Sequence, residues 1–219
     1  TLFPYTTLFR STREKRSWNP DSSQRGLKEP VLRYDYPMRV LAEIDRTPGI
    51  KHSGSRVVRE AVRGIIQDGD SLLMIHSACD GDYKFPGGGI KHGEDRLTAL
   101  AREINEESGA TLVFRPVEFG KVIEYDLPAE KHLDLFVMTS YYYKCQIASR
   151  IGIQHLDQYE SELGFTPEWI PIEEALNINQ TLLRERPEKL QKWVKREAAV
   201  LQILLNSSKR GGIGKNTDH

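Results

Sequence analysis

The strongest constraint on this chain lies in residues 88–110, where glycines, acids and apolar residues recur at helical spacing. The segment reads GGIKHGEDRLTALAREINEESGA. Apolar residues at intervals of three and four predict one buried face of an α-helix: Leu97, Leu100, Ala101 and Ile104. Asp95 is placed to cap the N-terminus of this helix, and Gly109 is placed to end it in a left-handed conformation.

Three glutamates form a second stripe on the same helix, and we expect this stripe on the far side from the apolar face. Glu103, Glu106 and Glu107 fall within about one turn, so each like-charged pair costs roughly 0.2–0.5 kcal/mol. They also stand near the helix C-terminus, where the helix dipole disfavours anions. Two interpretations explain the stripe: a solvated acidic face, which is common on helices, or a cation bound between the carboxylates.

The order and spacing of residues 88–110 resemble the Nudix box, the signature of hydrolases that cut nucleoside diphosphates linked to another group. The glycines and charged residues of the family pattern are matched in register: Gly88, Glu94, Arg102, Glu103, Glu106, Glu107 and Gly109. The one departure is Ala110, where the family usually carries Ile, Leu or Val. The resemblance favours a metal site over a solvated acidic face.

The resemblance implies that the helix holds Mg²⁺ or Mn²⁺, which prefer oxygen ligands and neutralise the charge of a diphosphate. Four residues would hold the metal: Glu103, Glu106, Glu107 and, through its main-chain carbonyl, Gly88. Catalytic roles would fall to Glu103, Glu106, Arg102 and Glu94. Arg102 would orient the glutamates by ion pairing, and Glu94 would be a further ligand or an orienting partner.

The general base differs among Nudix enzymes and often lies in a loop outside the box. Glu160 and Glu162 stand in a polar loop ahead of Trp169 and are two candidates, with an ordinary surface acid as the alternative for each. In the glycine-rich loop that leads into the box, Lys84 and Lys91 either contact phosphate or, as we expect, are solvated.

The remaining sequence predicts a mixed order of strands and helices. Runs rich in Val, Ile and Leu predict strands at 57–66, 71–77, 111–113, 117–125 and 168–171, and a central strand buried on both faces within 132–147. Asp68-Gly69-Asp70 is a hairpin signal between the first two strands. Helices are predicted from residue 172 and over 187–205. This order fits an α/β fold, and the resemblance implies a Nudix-type α/β/α sandwich with a mixed β-sheet.

The length predicts one domain with extra elements at its ends. Residues 1–11 read as the translation of a common short-read sequencing adapter, so we expect residues 1–29 to be an adapter artefact followed by an uncertain or disordered N-terminus. Residues 30–205 are expected to form a single Nudix hydrolase domain that ends in a helix. Residues 206–219 are polar and glycine-rich, and we expect them to form a flexible tail.

Composition bounds the partners of the chain. Residues 1–29 contain six basic and three acidic residues, which leaves 25 basic and 28 acidic residues beyond them. This balance argues against a long nucleic-acid partner. No apolar run approaches the roughly 18 residues of a membrane span, so we expect no membrane partner. The two cysteines have no metal-like spacing, which suits reduced thiols in a cytoplasmic protein.

The sequence does not choose one substrate. The resemblance implies a small nucleotide substrate, such as ADP-ribose or another nucleotide sugar, or a nucleoside triphosphate, and it makes a homodimer plausible. Tyr125 and Pro128 lie where the family carries loose substrate cues, and the two cues point to different substrates. Two alternatives stay open: a non-catalytic domain that senses a nucleotide, and a hydrolase of RNA ends or dinucleoside polyphosphates.

Overall fold

The computed structural model describes residues 37–212, so the adapter-like segment, the rest of residues 1–36 and residues 213–219 lie outside the described part. Seven strands form the sheet: β1 (Val40–Asp45), β2 (Arg56–Asp68), β3 (Ser71–Ser77), β4 (Tyr83–Lys84), β5 (Val117–Asp126), β6 (Leu135–Cys145) and β7 (Phe165–Pro171). The helices are α1 (Arg96–Ser108), α2 (Gln158–Glu162), α3 (Ile172–Glu185) and α4 (Val194–Gly212), with a 3₁₀ turn over Pro187–Lys189.

The sheet is mixed and has the strand order β1-β5-β6-β2-β3-β4, with β7 also paired to β3. β2 runs parallel to β6, and β5 runs antiparallel to β6. Successive residues of β2 point to opposite faces, so Ile65 packs in one core with α3 and α4, and Ile66 packs in a second core with α1. The predicted α/β/α arrangement with a mixed sheet is confirmed.

Most predicted strands are present. β2 and β3 form a hairpin through Gly69 and Asp70, where Gly69 has a φ of 57°. β6 is the interior strand that the sequence predicted, and Tyr141, Tyr142 and Tyr143 are all buried in it. The predicted strand at 111–113 is reduced to an isolated bridge between Leu112 and Ile147. β1 is a strand that was not predicted.

The last helix differs from its prediction at both ends. α4 begins at Val194, because Leu190 has an extended backbone (φ −82°, ψ 153°) that separates it from the 3₁₀ turn. It continues to Gly212, so residues 206–212 are helical although the sequence placed them in the flexible tail. Val194, Leu201 and Leu204 form part of its buried face.

A buried ionic network holds α4 against the sheet. Arg196, which is 2% exposed, pairs with Glu124 of β5 at 2.8 Å and with Glu197 at 2.6 Å. Arg46 pairs with the same Glu124 at 2.8 Å, and the Tyr142 hydroxyl donates to Glu197 at 3.2 Å. Each charge in the network therefore has a partner, as burial requires.

None of the helices within residues 37–212 is long and apolar enough to cross a membrane. Both cysteines are free thiols: Cys79 is exposed and Cys145 is buried at the end of β6. Burial raises the pKa of the Cys145 thiol to about 12, so that thiol stays protonated near neutral pH.

Candidate metal centre

The helix α1 is fixed at both ends by the caps that the sequence predicted. The Asp95 carboxylate accepts hydrogen bonds from the main-chain N–H groups of Leu97 and Thr98, at 3.0 and 3.2 Å. Gly109 has a left-handed backbone (φ 68°), and its N–H donates to the Asn105 carbonyl at 2.8 Å. These caps set the register in which the glutamates of α1 face the rest of the fold.

Two of the three stripe glutamates are buried, which corrects the expectation that they face away from the apolar residues. Glu103 is 8% exposed and Glu107 is 1% exposed. Glu107 follows Leu100 by seven residues, so it lies only roughly 20° from Leu100 around the helix. Glu106, the third glutamate of the stripe, is half-buried. A solvated acidic face is therefore excluded for Glu103 and Glu107.

The glycine-rich loop covers these two carboxylates because it pairs with the edge of β2. The Gly88 carbonyl accepts a hydrogen bond from the Val62 N–H at 3.0 Å, and the Pro86 carbonyl accepts one from the Gly64 N–H at 2.8 Å. The pairing brings Gly88 against the Glu103 carboxylate, where a Cβ would overlap the carboxylate. The absence of a side chain at position 88 lets the loop approach the helix this closely.

Glu103, Glu107 and Glu160 converge. One carboxylate oxygen from each of these residues lies within 4.8 Å of the others. Glu160 comes from α2, far from the box in sequence, and it is half-buried. The structure thus brings together two box glutamates and one of the two acids that the sequence singled out as candidate bases. The other, Glu162, is exposed and accepts a hydrogen bond from Gln158 at 2.9 Å.

The segment before α2 reaches the cluster because it is hydrogen-bonded to the last turn of α1. The Gly152 N–H donates to the Gly109 carbonyl at 2.8 Å, and the His155 N–H donates to the Glu106 carbonyl at 2.7 Å. The Gln154 side-chain amide donates to the Glu107 carbonyl at 2.5 Å. These bonds satisfy carbonyls that a helix end leaves without partners, and they position Glu160 beside the helix.

Arg102 forms ion pairs with three glutamates of the box. Its guanidinium donates to both oxygens of Glu94 at 2.8 Å, to Glu103 at 2.6 Å and to Glu106 at 3.0 Å. It also donates to the Gly89 carbonyl at 3.1 Å. The hydrogen bond from Arg102 lowers the pKa of Glu94. Glu94 and Glu106 therefore face Arg102 and lie outside the three-carboxylate cluster.

Lys84 is buried in the centre, which corrects the expectation that it is solvated. Its side chain is 8% exposed, and its ammonium forms an ion pair with Glu107. The second oxygen of Glu107 accepts a hydrogen bond from the Gly87 N–H at 2.8 Å. Lys91, the other lysine of this loop, is exposed as expected. No spacing rule in the sequence distinguished the two lysines.

The electrostatics of the centre fit a divalent cation. Burial, followed by the charge of Glu107, raises the pKa of Glu160 to about 7, and burial also raises the pKa of Glu103. Within residues 37–212, only Arg102 and Lys84 form ion pairs with the five carboxylates of the centre: Glu94, Glu103, Glu106, Glu107 and Glu160. Excess negative charge and an all-oxygen donor set are what Mg²⁺ or Mn²⁺ require.

Comparison with known proteins gives one family. A model of the NUDIX domain matches residues 57–194, which is more than half of the chain. The RNA pyrophosphohydrolase of Rhizobium meliloti is 39% identical over 70 residues, and that of Agrobacterium fabrum is 38% identical over 71 residues. Each match covers 31% of this chain and 42% of the relative, so the chain spans less than half the length of the curated relatives it matches.

Solved structures with similar folds carry related names. A NUDIX hydrolase from Nitrosomonas europaea is 20% identical, with a TM-score of 0.40, and the match covers 60% of this chain and 83% of that one. A MutT structure, from work on Aliivibrio salmonicida and Vibrio cholerae, is also 20% identical, with a TM-score of 0.40. That match covers 65% of this chain and 98% of the other.

Proposed function

This chain belongs to the NUDIX domain family, and from that membership we propose that it is a Mg²⁺- or Mn²⁺-dependent hydrolase of a diphosphate linkage. The substrate would be a small nucleoside diphosphate derivative, either a nucleotide sugar such as ADP-ribose or a nucleoside triphosphate. The observation that carries the proposal is the convergence of Glu103, Glu107 and Glu160 within 4.8 Å. Three carboxylates this close favour a bound divalent cation, and the substrate of the family is an anion that would bind through the same cation.

Glu103 and Glu107 are the proposed core of the metal site, since an oxygen of one lies within 4.8 Å of an oxygen of the other. Glu106 and the Gly88 carbonyl are proposed as additional ligands. When bound, the divalent ion would neutralise the diphosphate and lower the pKa of a nearby water. Arg102 would keep the carboxylates oriented, with Glu94 as the residue that fixes Arg102 in turn.

Glu160 is the proposed general base. A pKa of about 7 suits a group that must accept a proton near neutral pH. The water oxygen would attack one phosphorus, the bond from that phosphorus to the bridging oxygen would break, and Glu160 would take the water proton. The products are a nucleoside monophosphate and the phosphorylated remainder. Because Glu160 belongs to the three-carboxylate cluster, the alternative proposal for it is a metal ligand, a role in which the cation would lower its pKa.

A second candidate function has one observation in its favour. The two curated relatives are RNA pyrophosphohydrolases, which act on RNA. An RNA 5′ end carries the same phosphoanhydride bonds as a nucleoside triphosphate, so the chemistry of the centre would serve either substrate. The third possibility, a non-catalytic nucleotide sensor, is disfavoured because all the acidic positions of the box are kept.

The proposal is tested with residues 30–219 purified and given Mg²⁺ or Mn²⁺. The panel contains nucleotide sugars, nucleoside triphosphates, dinucleoside polyphosphates and a short RNA with a 5′-triphosphate, and released phosphate is measured with and without added phosphatase. One preferred substrate, lost in the Glu103→Gln variant, would support hydrolysis and identify the substrate class. Nucleotide binding without turnover of any compound would favour the sensor. A cytoplasmic location and a homodimer stay predictions.

A further inference from the structure

We propose that Lys84 is the resident counter-cation of the metal centre: a positioning residue that holds Glu107 without metal and competes with divalent ions for that carboxylate. The inference rests on the proposed function only in taking Glu107 as a metal ligand. It concerns the protein before any substrate binds.

Both oxygens of Glu107 already have partners. Lys84 forms an ion pair with one oxygen, and the Gly87 N–H donates to the other at 2.8 Å. Glu107 is 1% exposed, so water does not compete for these positions. A metal ion that binds Glu107 together with Glu103 and Glu160 must therefore share or displace the Lys84 ammonium.

The surroundings of Lys84 keep its charge beside the cluster. The ammonium lies 4.5 Å from the centre of the Phe165 ring and 5.7 Å from the centre of the Trp193 ring. Aromatic faces attract a cation, most strongly where water is excluded. Trp193 is itself fixed by a hydrogen bond from its indole N–H to Asp82 at 2.6 Å. When a divalent ion takes Glu107, the ammonium still has these rings to hold it a short distance away.

Competition between Lys84 and the metal predicts a change in metal affinity opposite in sign to the change that a purely structural role predicts. If Lys84 only supported the shape of the site, its removal would loosen Glu107 and weaken metal binding. If Lys84 competes with the metal, its removal leaves a buried carboxylate without a cation and takes away a like charge from the neighbourhood of the ion. Charges this close interact strongly in a buried site, so metal binding should tighten.

The experiment measures Mn²⁺ binding to the full chain by calorimetry and by electron paramagnetic resonance, with no nucleotide present. Lys84→Met keeps the length and apolar stem of the side chain but removes its charge. Lys91→Met is the matched control, because it removes the same charge from an exposed position of the same loop. We expect Lys84→Met to bind Mn²⁺ at least about tenfold more tightly than the wild type, and Lys91→Met to bind as the wild type does. Unchanged or weaker binding by Lys84→Met would overturn the proposal.

A second measurement follows metal binding by the wild-type protein and uses the variants only to assign the lysine signals. Lysine Cε signals are followed by ¹³C NMR during a Mg²⁺ titration, and the signal that Lys84→Met lacks is assigned to Lys84. That signal should shift as Mg²⁺ saturates the site, while the Lys91 signal stays in place. A Lys84 signal that does not respond to bound Mg²⁺ would contradict the competition.

The two measurements separate this inference from the proposed function. Tighter Mn²⁺ binding by Lys84→Met in a protein that hydrolyses nothing would support the counter-cation and remove the hydrolase. Turnover by the wild type, together with unchanged Mn²⁺ binding in Lys84→Met, would support the hydrolase and remove the counter-cation. If neither the wild type nor Lys84→Met binds Mn²⁺ or Mg²⁺, both proposals fail.

Discussion

The Glu103 carboxylate lies against the α-carbon of Gly88, in the space that a side chain at position 88 would occupy. Gly88 does not have a positive φ, so its backbone would accept another residue. The glycine is required here by the carboxylate, and the next residue provides the comparison. A Cβ at Gly89 would meet nothing within 4 Å, and Gly89 does not have a positive φ either.

Gly88→Ala should therefore damage the site without damaging the fold. The new methyl group displaces the Glu103 carboxylate, and we expect turnover and Mn²⁺ affinity to fall about 10–100-fold, as when other residues that orient metal ligands are changed. Gly89→Ala should retain both. Steady-state kinetics and Mn²⁺ calorimetry on the two variants make the comparison. Equal losses in both would show that the loop tolerates no side chain, whatever the position of Glu103.

Arg102 should contribute to activity through the glutamates that it orients. Arg102→Met leaves Glu94, Glu103 and Glu106 without their shared cation. We expect an activity loss of about 10–100-fold, with a fall of roughly 1–3 kcal/mol in the free energy of unfolding. Arg115→Met, which changes an exposed arginine without an ion pair among the described residues, is the control. Wild-type activity in Arg102→Met would remove the orienting role.

The sequence predicted those parts of the centre that depend on local chemistry. Asp95 and Gly109 act as caps because their effect on a helix is confined to one turn. The expectation that the glutamate stripe faces away from the apolar residues was wrong for Glu107 on helical geometry alone, which puts it roughly 20° from Leu100. Periodicity could not, by contrast, reveal what packs over Glu103 and Glu107. Only the tertiary fold reveals that the glycine-rich loop pairs with β2 and covers them.

The contacts that Lys84 and Glu160 make in the centre share this origin. Lys84 and Glu107 are 23 positions apart and meet only because β4 and α1 come together. Glu160 reaches the cluster through hydrogen bonds between the residues before α2 and the last turn of α1. Neither contact has a signature in spacing or composition. The sequence offered Glu160 and Glu162 on equal terms, and the fold distinguishes them.

Metal affinity should increase with pH through the range in which Glu160 ionises. The pKa of Glu160 is raised to about 7, chiefly by burial, so at pH 6 a proton occupies the carboxylate that the metal needs. Ionisation of one such group between pH 6 and pH 8 gives an increase in Mn²⁺ affinity of about tenfold. Calorimetry at the two pH values measures it. Glu160→Gln should lose most of this dependence, and Glu162→Gln should retain it. A wild type with equal affinities at both values would show that Glu160 is not a ligand.

Removal of one partner from the buried network under α4 should destabilise the fold strongly, because it leaves buried charges uncompensated. Arg196→Met leaves Glu124 and Glu197 buried with one cation fewer, and we expect the free energy of unfolding to fall by about 3–5 kcal/mol. The Lys209–Glu173 pair also involves α4 but is exposed, so Lys209→Met should change the free energy by less than about 1 kcal/mol. Urea denaturation of both variants measures the difference. Similar small effects in both would mean that α4 is held by its apolar residues alone.

Glu107→Gln should abolish nearly all turnover, since the amide is a poor ligand for a divalent ion. A Glu107→Gln variant with the wild-type rate would refute the metal assignment.

The same substitution should also lower the stability of the metal-free protein. Because Lys84 would lose its counter-charge while still buried, the metal-free variant should unfold more easily than the wild type, by roughly 1–3 kcal/mol. The double variant Glu107→Gln with Lys84→Met removes both charges, so it should regain most of that stability while staying inactive. Thermal and urea unfolding of the wild type, the two single variants and the double variant gives the coupling energy directly. Additive losses would show that the Lys84 and Glu107 side chains are energetically independent despite their contact.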